Sequence, residues 1–243
     1  EYNLCTLPPE RIDEIIKRSI AYFRAVLQQP DFCPASFRAG NWLFQPTRNA
    51  AAALAANGLK VDSSVFKGGV QHKHKLDYRG SLRNGDYWFF SSEVNLSDPR
   101  GALLEIPIYS RLVPPWKMLT GKRIGLQKKA STRRPTVAER IQRFRDFARL
   151  RQPLKFDFCR MNLDELISIT EECLAGDQSW PQVFRPMVAI GHSKDLVDFD
   201  TIDKYLGFLK SRDISVSTLE SMHDRVTSRR QTRITSSFAA SSK

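Results

Sequence analysis

His192 is the residue best placed to do chemistry. It stands in Val188-Ala-Ile-Gly-His-Ser-Lys-Asp-Leu196, directly after an apolar run. A histidine at the C-terminal tip of a parallel strand can reach a ligand and exchange a proton near neutral pH. The same position suits a surface histidine that bonds the backbone of a strand-to-helix turn, and the sequence leaves both readings open. Arg38 closes a second apolar stretch, Ser36-Phe37, and is followed by Gly40, which permits a tight turn. A fixed guanidinium there can hold a carboxylate in bidentate geometry or complete a structural ion pair. Asp62 closes a third stretch, Leu59–Val61, where it can hold a sugar hydroxyl, orient a histidine, or cap a turn. Trp42 and Trp88 offer flat faces for a sugar ring, although most tryptophans pack in cores.

His72-Lys73-His74 has the spacing of a metal pair, because alternate strand residues face the same side. Asp77 is close, but no third ligand stands at a convincing spacing, and zinc needs three or four. A hydrolase built on His72, His74 and Asp77 is therefore the weakest of the readings. No G-x-S-x-G elbow, phosphate-binding P-loop, H-E-x-x-H or dinucleotide fingerprint is present, which removes most support for serine-hydrolase and nucleotide-binding chemistry.

The elements that must position these residues alternate between helix and strand. A helix is expected after Thr6 and Pro8-Pro9, with Thr6 as its cap and Ile12, Ile15, Ile16, Ile20, Phe23 and Leu27 on its buried face. A second runs from about Pro46 to Asn57-Gly58, a left-handed terminus. Residues 68–99 read as a long irregular excursion with a hairpin at Asn84-Gly85. Ala102–Tyr109 reads as a core strand, and Val113–Pro135 as a basic, proline-bounded linker. Val137, Ile141, Phe144 and Ala148 stripe an arginine-rich helix whose Arg140, Arg143, Arg145 and Arg149 form a solvated face. Leu154–Phe158 is a strand, followed by a helix that Asn162 caps. Val183–Ile190 is the strand that delivers His192. A helix over about 200–210, a last strand at Ile214–Ser217 and a short helix carrying Leu219 and Met222 complete the domain. Such alternation predicts an α/β protein with parallel strands. The domain spans 1–223, and 224–243 is a basic tail whose low apolar content over Thr227–Lys243 predicts disorder.

The 243 residues carry 38 lysines and arginines against 26 acids, a net charge of +12. The excess crowds one loop (Lys122, Arg123, Lys128, Lys129, Arg133, Arg134) and the tail (Arg225, Arg229, Arg230, Arg233). It could serve a non-catalytic binding protein for an anionic glycan or a nucleic acid, or be solvated charge. Cys5, Cys33, Cys159 and Cys173 lack C-x-x-C spacing and read as free thiols. No apolar run approaches the length of a membrane span, so no membrane partner is expected.

Taken in order, five segments resemble the polysaccharide deacetylase family, also called the NodB-homology domain. Phe37-Arg38-Ala39-Gly40-Asn41-Trp42 is similar to its arginine motif and Val61-Asp62-Ser63-Ser64-Val65 to its aspartate motif. Leu76-Asp77-Tyr78-Arg79 and Leu104-Glu105-Ile106-Pro107 resemble its next two landmarks. Gly191-His192-Ser193-Lys194-Asp195-Leu196 resembles its final histidine motif. The resemblance implies a distorted (β/α) barrel, here partial and lacking its first strands. It implies a hydrolase that removes an acetyl group from a sugar or polysaccharide with the help of a divalent metal, commonly zinc. By position, His192 becomes the general acid, Arg38 the residue that orients a catalytic carboxylate, and Asp62 a support for the site. Trp42 walls the acetyl pocket, and Asp77 and Trp88 join it as substrate-binding candidates. The partner implied is an acetylated glycan, with no nucleic acid. Asn41 stands where the family commonly has proline, which leaves the choice of sugar open. The family's paired aspartates and H-x-x-x-H metal pair occur nowhere in the chain. The expectation is therefore a fragment with the acid half of the site, whose base and metal ligands lie outside it.

Overall fold

The computed structural model describes residues 3–82, 86–118, 120, 122, 151–179 and 184–240, with side chains through 229. The first helix, α1 (Pro9–Leu27), begins at a proline, whose missing N–H costs nothing in a first turn. Thr6 does not cap it. Its hydroxyl donates to Asn3 O at 2.8 Å inside the preceding 3-10 turn, too far upstream to reach the helix. Ile12, Ile16 and Ile20 are buried, but Phe23 and Leu27 are 46% exposed, beside an exposed Tyr22 and Val26. The apolar stripe is thus covered over its first half only. Phe32 meets Phe23 edge-on, with ring centroids 6.4 Å apart, and leaves both Phe23 and Leu27 half open.

β1 (Ser36–Phe37), α2 (Arg48–Ala56) and β2 (Val61–Asp62) form a parallel βαβ unit. Gly58 ends α2 at φ +82°, the left-handed terminus anticipated from Asn57-Gly58. β2 also pairs in parallel with β6 (Leu103–Glu105), in register Val61↔Leu104 and Asp62↔Glu105. Between them lies the expected excursion, and it is more ordered than its composition implied. β3 (Val70–Gln71) and β4 (Leu76–Asp77) make a hairpin around a 3-10 turn at His72–His74. β5 (Trp88–Phe90) then adds antiparallel to β6. Asn84-Gly85 lies outside the described residues.

Residues on either side of a strand face opposite ways, and β6 shows it. Leu103 joins a core with Ile12, Ile16, Leu54, Phe90 and Tyr78 under α1 and α2. Its neighbour Leu104 joins Val61, Ile106 and Val226 on the other face. Val226 belongs to the last helix, so the sheet is a middle layer with helices on both sides.

β7 (Ser110–Val113) ends where the linker was expected to begin and pairs antiparallel with β8 (Gln152–Lys155); a 3-10 turn at Pro115–Met118 follows it. Of the basic cluster only Lys122 is described; residues 123–150, with the arginine-rich helix, lie outside the described residues. α3 (Leu163–Ser179) opens with a reciprocal cap. The Glu165 N–H donates to Asn162 Oδ1 at 2.8 Å, and the Asn162 N–H donates to Glu165 Oε2 at 3.1 Å. α4 (Phe199–Ser211) packs on α3, with Leu166, Ile169, Tyr205 and Leu209 between them and Phe156 beneath. The expected strand at Ile214–Ser217 is irregular. Asp213 takes φ 54° and the Ile214 N–H returns to Leu209 O at 2.9 Å, so these residues finish α4 and, among the described residues, pair with no strand.

α5 (Leu219–Ala240) runs into the expected tail. Where low apolar content predicted disorder, the backbone stays helical to Ala240. Val226, 2% exposed, anchors it on the sheet, and Arg225 and Arg229 each stack on the Phe184 ring at 4.9 Å. One well-placed valine and two cation–π contacts were invisible to a composition argument.

The protein is therefore mixed α/β with a partly parallel sheet. Isolated bridges carry the parallel run beyond the named strands, from Phe66↔Ile108 to Ile108↔Val188 and Asp157↔Ile190. Among the described residues the sheet does not close into a barrel. No described helix is long and apolar enough to cross a membrane.

Candidate functional site at the strand tips

Parallel strands bring their C-terminal tips to one edge, where α/β proteins place reactive groups. Here that edge gathers the residues after β1, β2, the 156–158 segment and the 188–190 segment. They divide into a buried network and a partly open cluster.

The buried network holds Arg38 and Asp62. Arg38 Nε donates to Ser63 O at 2.8 Å and its Nη2 donates to Ser63 Oγ at 2.9 Å. The Ala39 N–H donates to Ser64 Oγ at 2.8 Å, and that hydroxyl donates to Asp62 Oδ1 at 2.6 Å. The arginine turn is thus sewn to the tip of β2. Arg38 spends its fork on a carbonyl and a hydroxyl, although Asp62 and Glu105 lie close enough to favour its charge. Asp62 and its cross-strand neighbour Glu105 are both 0% exposed. The Val65 N–H donates to Glu105 Oε1 at 3.1 Å, and Glu105 Oε2 meets no donor among the described residues. Its neighbour is the Asp62 carboxylate. Burial, then the adjacent Asp62, push Glu105 well above the usual carboxylate range, and burial also raises Asp62. The pair therefore shares a proton that Glu105 carries. Neither carboxyl reaches solvent, so Asp62 stands inside the fold and positions the 63–66 turn without facing a ligand.

The open cluster centres on Trp42. Asn41 and Trp42 take φ 51° and φ 61°, left-handed values that a bulky residue avoids. Tyr78 OH holds the strained turn by donating to Trp42 O at 2.6 Å. Backbone strain of this kind persists where surrounding contacts fix it, and it gathers at working sites. Its effect here is to turn the indole toward His192, with ring centroids 5.8 Å apart, and toward Phe66 at 5.6 Å.

His192 follows the 188–190 segment through Gly191. A Cβ on Gly191 would lie 2.3 Å from the Phe158 ring, so only glycine lets this segment approach so closely. The His192 side chain is 34% exposed, and its Nδ1 is buried 3.8 Å from Asp157 Oδ2. The exposed part of the ring is therefore the edge away from Asp157. Asp157 is buried, accepts the Cys159 N–H at 3.1 Å and lies 3.6 Å from Arg160 Nε. Arg160 forks onto Asp195 Oδ2 with bonds of 2.8 and 2.6 Å. Burial pushes the Asp157 carboxyl up, against the pull of Arg160, the Cys159 N–H and His192. Lys155, two residues earlier and so on the same side of its strand, lays its ammonium 3.5 Å from the Trp42 centroid and 4.3 Å from that of Phe66.

Trp42 and His192 thus come together, while Arg38 and Asp62 stand behind them in the adjoining buried network. Asp77 and Trp88 do not join them. Asp77 is ion-paired with Arg79, and its backbone is bonded to Gln45 and Asn95. Trp88 is 3% exposed, donates its indole N–H to Val94 O at 2.7 Å and pairs across the sheet with Glu105, so it presents no face to a sugar. The sequence reading missed Asp157 and Lys155. Asp157 carried the same signal as Asp62, an acid closing an apolar strand, and a lysine within a strand carried none.

The cluster does not fit the divalent metal that the resemblance implies. Asp157 and His192 offer one oxygen and one nitrogen, and cations already crowd that oxygen. Among the described residues no group of three or more His, Cys, Asp or Glu side chains could hold a metal ion, His72 and His74 included. Comparison with known protein families, with curated proteins and with solved structures finds no match.

Proposed function

We propose that this chain carries the proton-donating side of a hydrolase that removes acetyl groups from a sugar or polysaccharide, built on part of a distorted (β/α) barrel. The observation that carries the reading is the meeting of His192 with Trp42 at the strand tips, from segments far apart in the chain, in the places that the motif order assigns to an acid and a pocket wall. His192 turns one nitrogen to Asp157 and the opposite edge to solvent. A protonated ring so held can deliver its proton to the departing amine or alcohol oxygen of a sugar. Asp157 lies 3.8 Å behind that nitrogen, outside hydrogen-bond distance but close enough to pair with a charged ring. Trp42 supplies an apolar wall for the acetyl methyl. Arg38 and Asp62 act as positioning residues: they lock the turn that carries Trp42 onto β2. No described residue is assigned to activate the attacking water.

Titration with N-acetylglucosamine oligomers, followed by NMR of the side chains, tests the reading. Saturable shifts are expected at the Trp42 indole and the His192 ring, with none at Trp116, an exposed tryptophan outside the cluster. Oligomers that move neither Trp42 nor His192 would overturn it.

A further inference from the structure

The Lys155 ammonium lies on the faces of Trp42 and Phe66, beside Asp157 and around the same indole as His192. An ammonium carries three N–H donors. Among the described residues those of Lys155 meet no hydrogen-bond acceptor and no carboxylate at ion-pair distance. The nearby acids are committed elsewhere. Asp195 is taken by the Arg160 fork, and Asp157 by the Cys159 N–H, Arg160 and His192. Two aromatic faces attract a cation but accept no hydrogen bond of full strength. A partly desolvated ammonium left in this state is costly, and burial pulls Lys155 down to about 8.

We infer that Lys155 and the walls of Trp42 and Phe66 form a binding site for a single carboxylate, either free acetate or the carboxylate of a uronic sugar. One negatively charged group with two acceptor oxygens matches one ammonium that lacks acceptors. A phosphate dianion fits worse, because Asp157 and Asp195 both stand in the same cluster. The methyl of acetate, or the ring of a uronate, would lie against the open part of Trp42, since Phe66 is buried beneath the ammonium. The inference deepens the hydrolase reading and rests on it only in naming acetate as the released product.

The test adds sodium acetate or sodium glucuronate to the purified chain, with sodium chloride at equal ionic strength as the control. The Lys155 side-chain NMR signals and the Trp42 indole report occupancy. Saturable shifts are expected with at least one carboxylate and none with chloride, and the stronger ligand separates product from uronate. Lys155→Met, which keeps length and removes the charge, should weaken binding at least about tenfold, the loss of one charge-assisted hydrogen bond. Carboxylates that act no differently from chloride on the wild-type chain overturn the inference, as does Lys155→Met binding as tightly as wild type. The two proposals fail separately. N-acetylated sugars can move Trp42 and His192 when carboxylates do not, and the reverse.

Discussion

Replacing Glu105 by glutamine should make the protein more stable at alkaline pH, although it removes an acid from the centre of the sheet. Glu105 and Asp62 are fully buried register partners, and among the described residues Glu105 Oε2 meets no donor except through a proton shared with Asp62. The folded state thus keeps a proton that the unfolded chain releases near the ordinary glutamate value of 4.5. Folding then binds more protons than unfolding, and stability falls as pH rises. The slope is about 1.4 kcal/mol per pH unit between the unfolded and folded values. The stabilising state is complete below 4.5 and is lost as pH climbs through the raised folded value. Glutamine reproduces both contacts without titrating. Its carbonyl can accept the Val65 N–H, and its amide can donate to Asp62. The difference between Glu105→Gln and wild type should therefore be small near pH 5, widen with pH by that slope, and level off at the folded pKa of the pair. Glu105→Ala should cost about 2–4 kcal/mol near pH 5, from an orphaned Val65 N–H, an unpaired Asp62 and a cavity. Urea unfolding from pH 5 to 9 measures all three proteins. Parallel pH profiles for Glu105→Gln and wild type would refute the shared proton.

Three further outcomes follow from the same structure. Lys155 has the opposite sign: its folded value is lowered from 10.5 to about 8, so the unfolded chain holds the extra proton in that window. Wild-type stability should gain on Lys155→Met as pH rises from about 8 toward 10.5, read by the same urea melts. Tyr78→Phe removes the donor to Trp42 O and leaves a carbonyl unpaired in a strained turn. It should cost about 1–3 kcal/mol and shift the His192 ring signals, which a purely structural loss elsewhere would leave in place. Asn162→Ala breaks the reciprocal cap of α3 and should cost about 1 kcal/mol in thermal or urea unfolding.

Legibility in the sequence followed the range of the interaction. α2 and its left-handed end, the β6 core strand and the Asn162 cap were readable because periodicity, Asn57-Gly58 and Asn162-x-x-Glu165 are local signals. The covered length of α1 was not, since periodicity marks an apolar face without saying how far the rest of the chain covers it, and Phe23 and Leu27 stay half exposed. α5 was not, because Val226 earns its place through Val61, Leu104 and Ile106, all distant in the chain. The site divided the same way. His192 and Trp42 were found from strand ends and short motifs. Asp62 was found too, but sequence could not tell which face of β2 it takes, and the register with Glu105 puts it inside. Asp157 and Lys155 were missed because their importance lies in what surrounds them: a histidine from another segment, and two aromatic faces contributed by separate turns.

Trp42 and His192 must stand ring against ring at the strand tips for either proposal to hold. Nuclear Overhauser contacts between the Trp42 indole protons and the His192 ring protons test this directly in the wild-type chain. Cross-peaks between the two rings, lost on His192→Ala, are the predicted result. A His192 ring whose contacts all lie within its own turn would contradict the account.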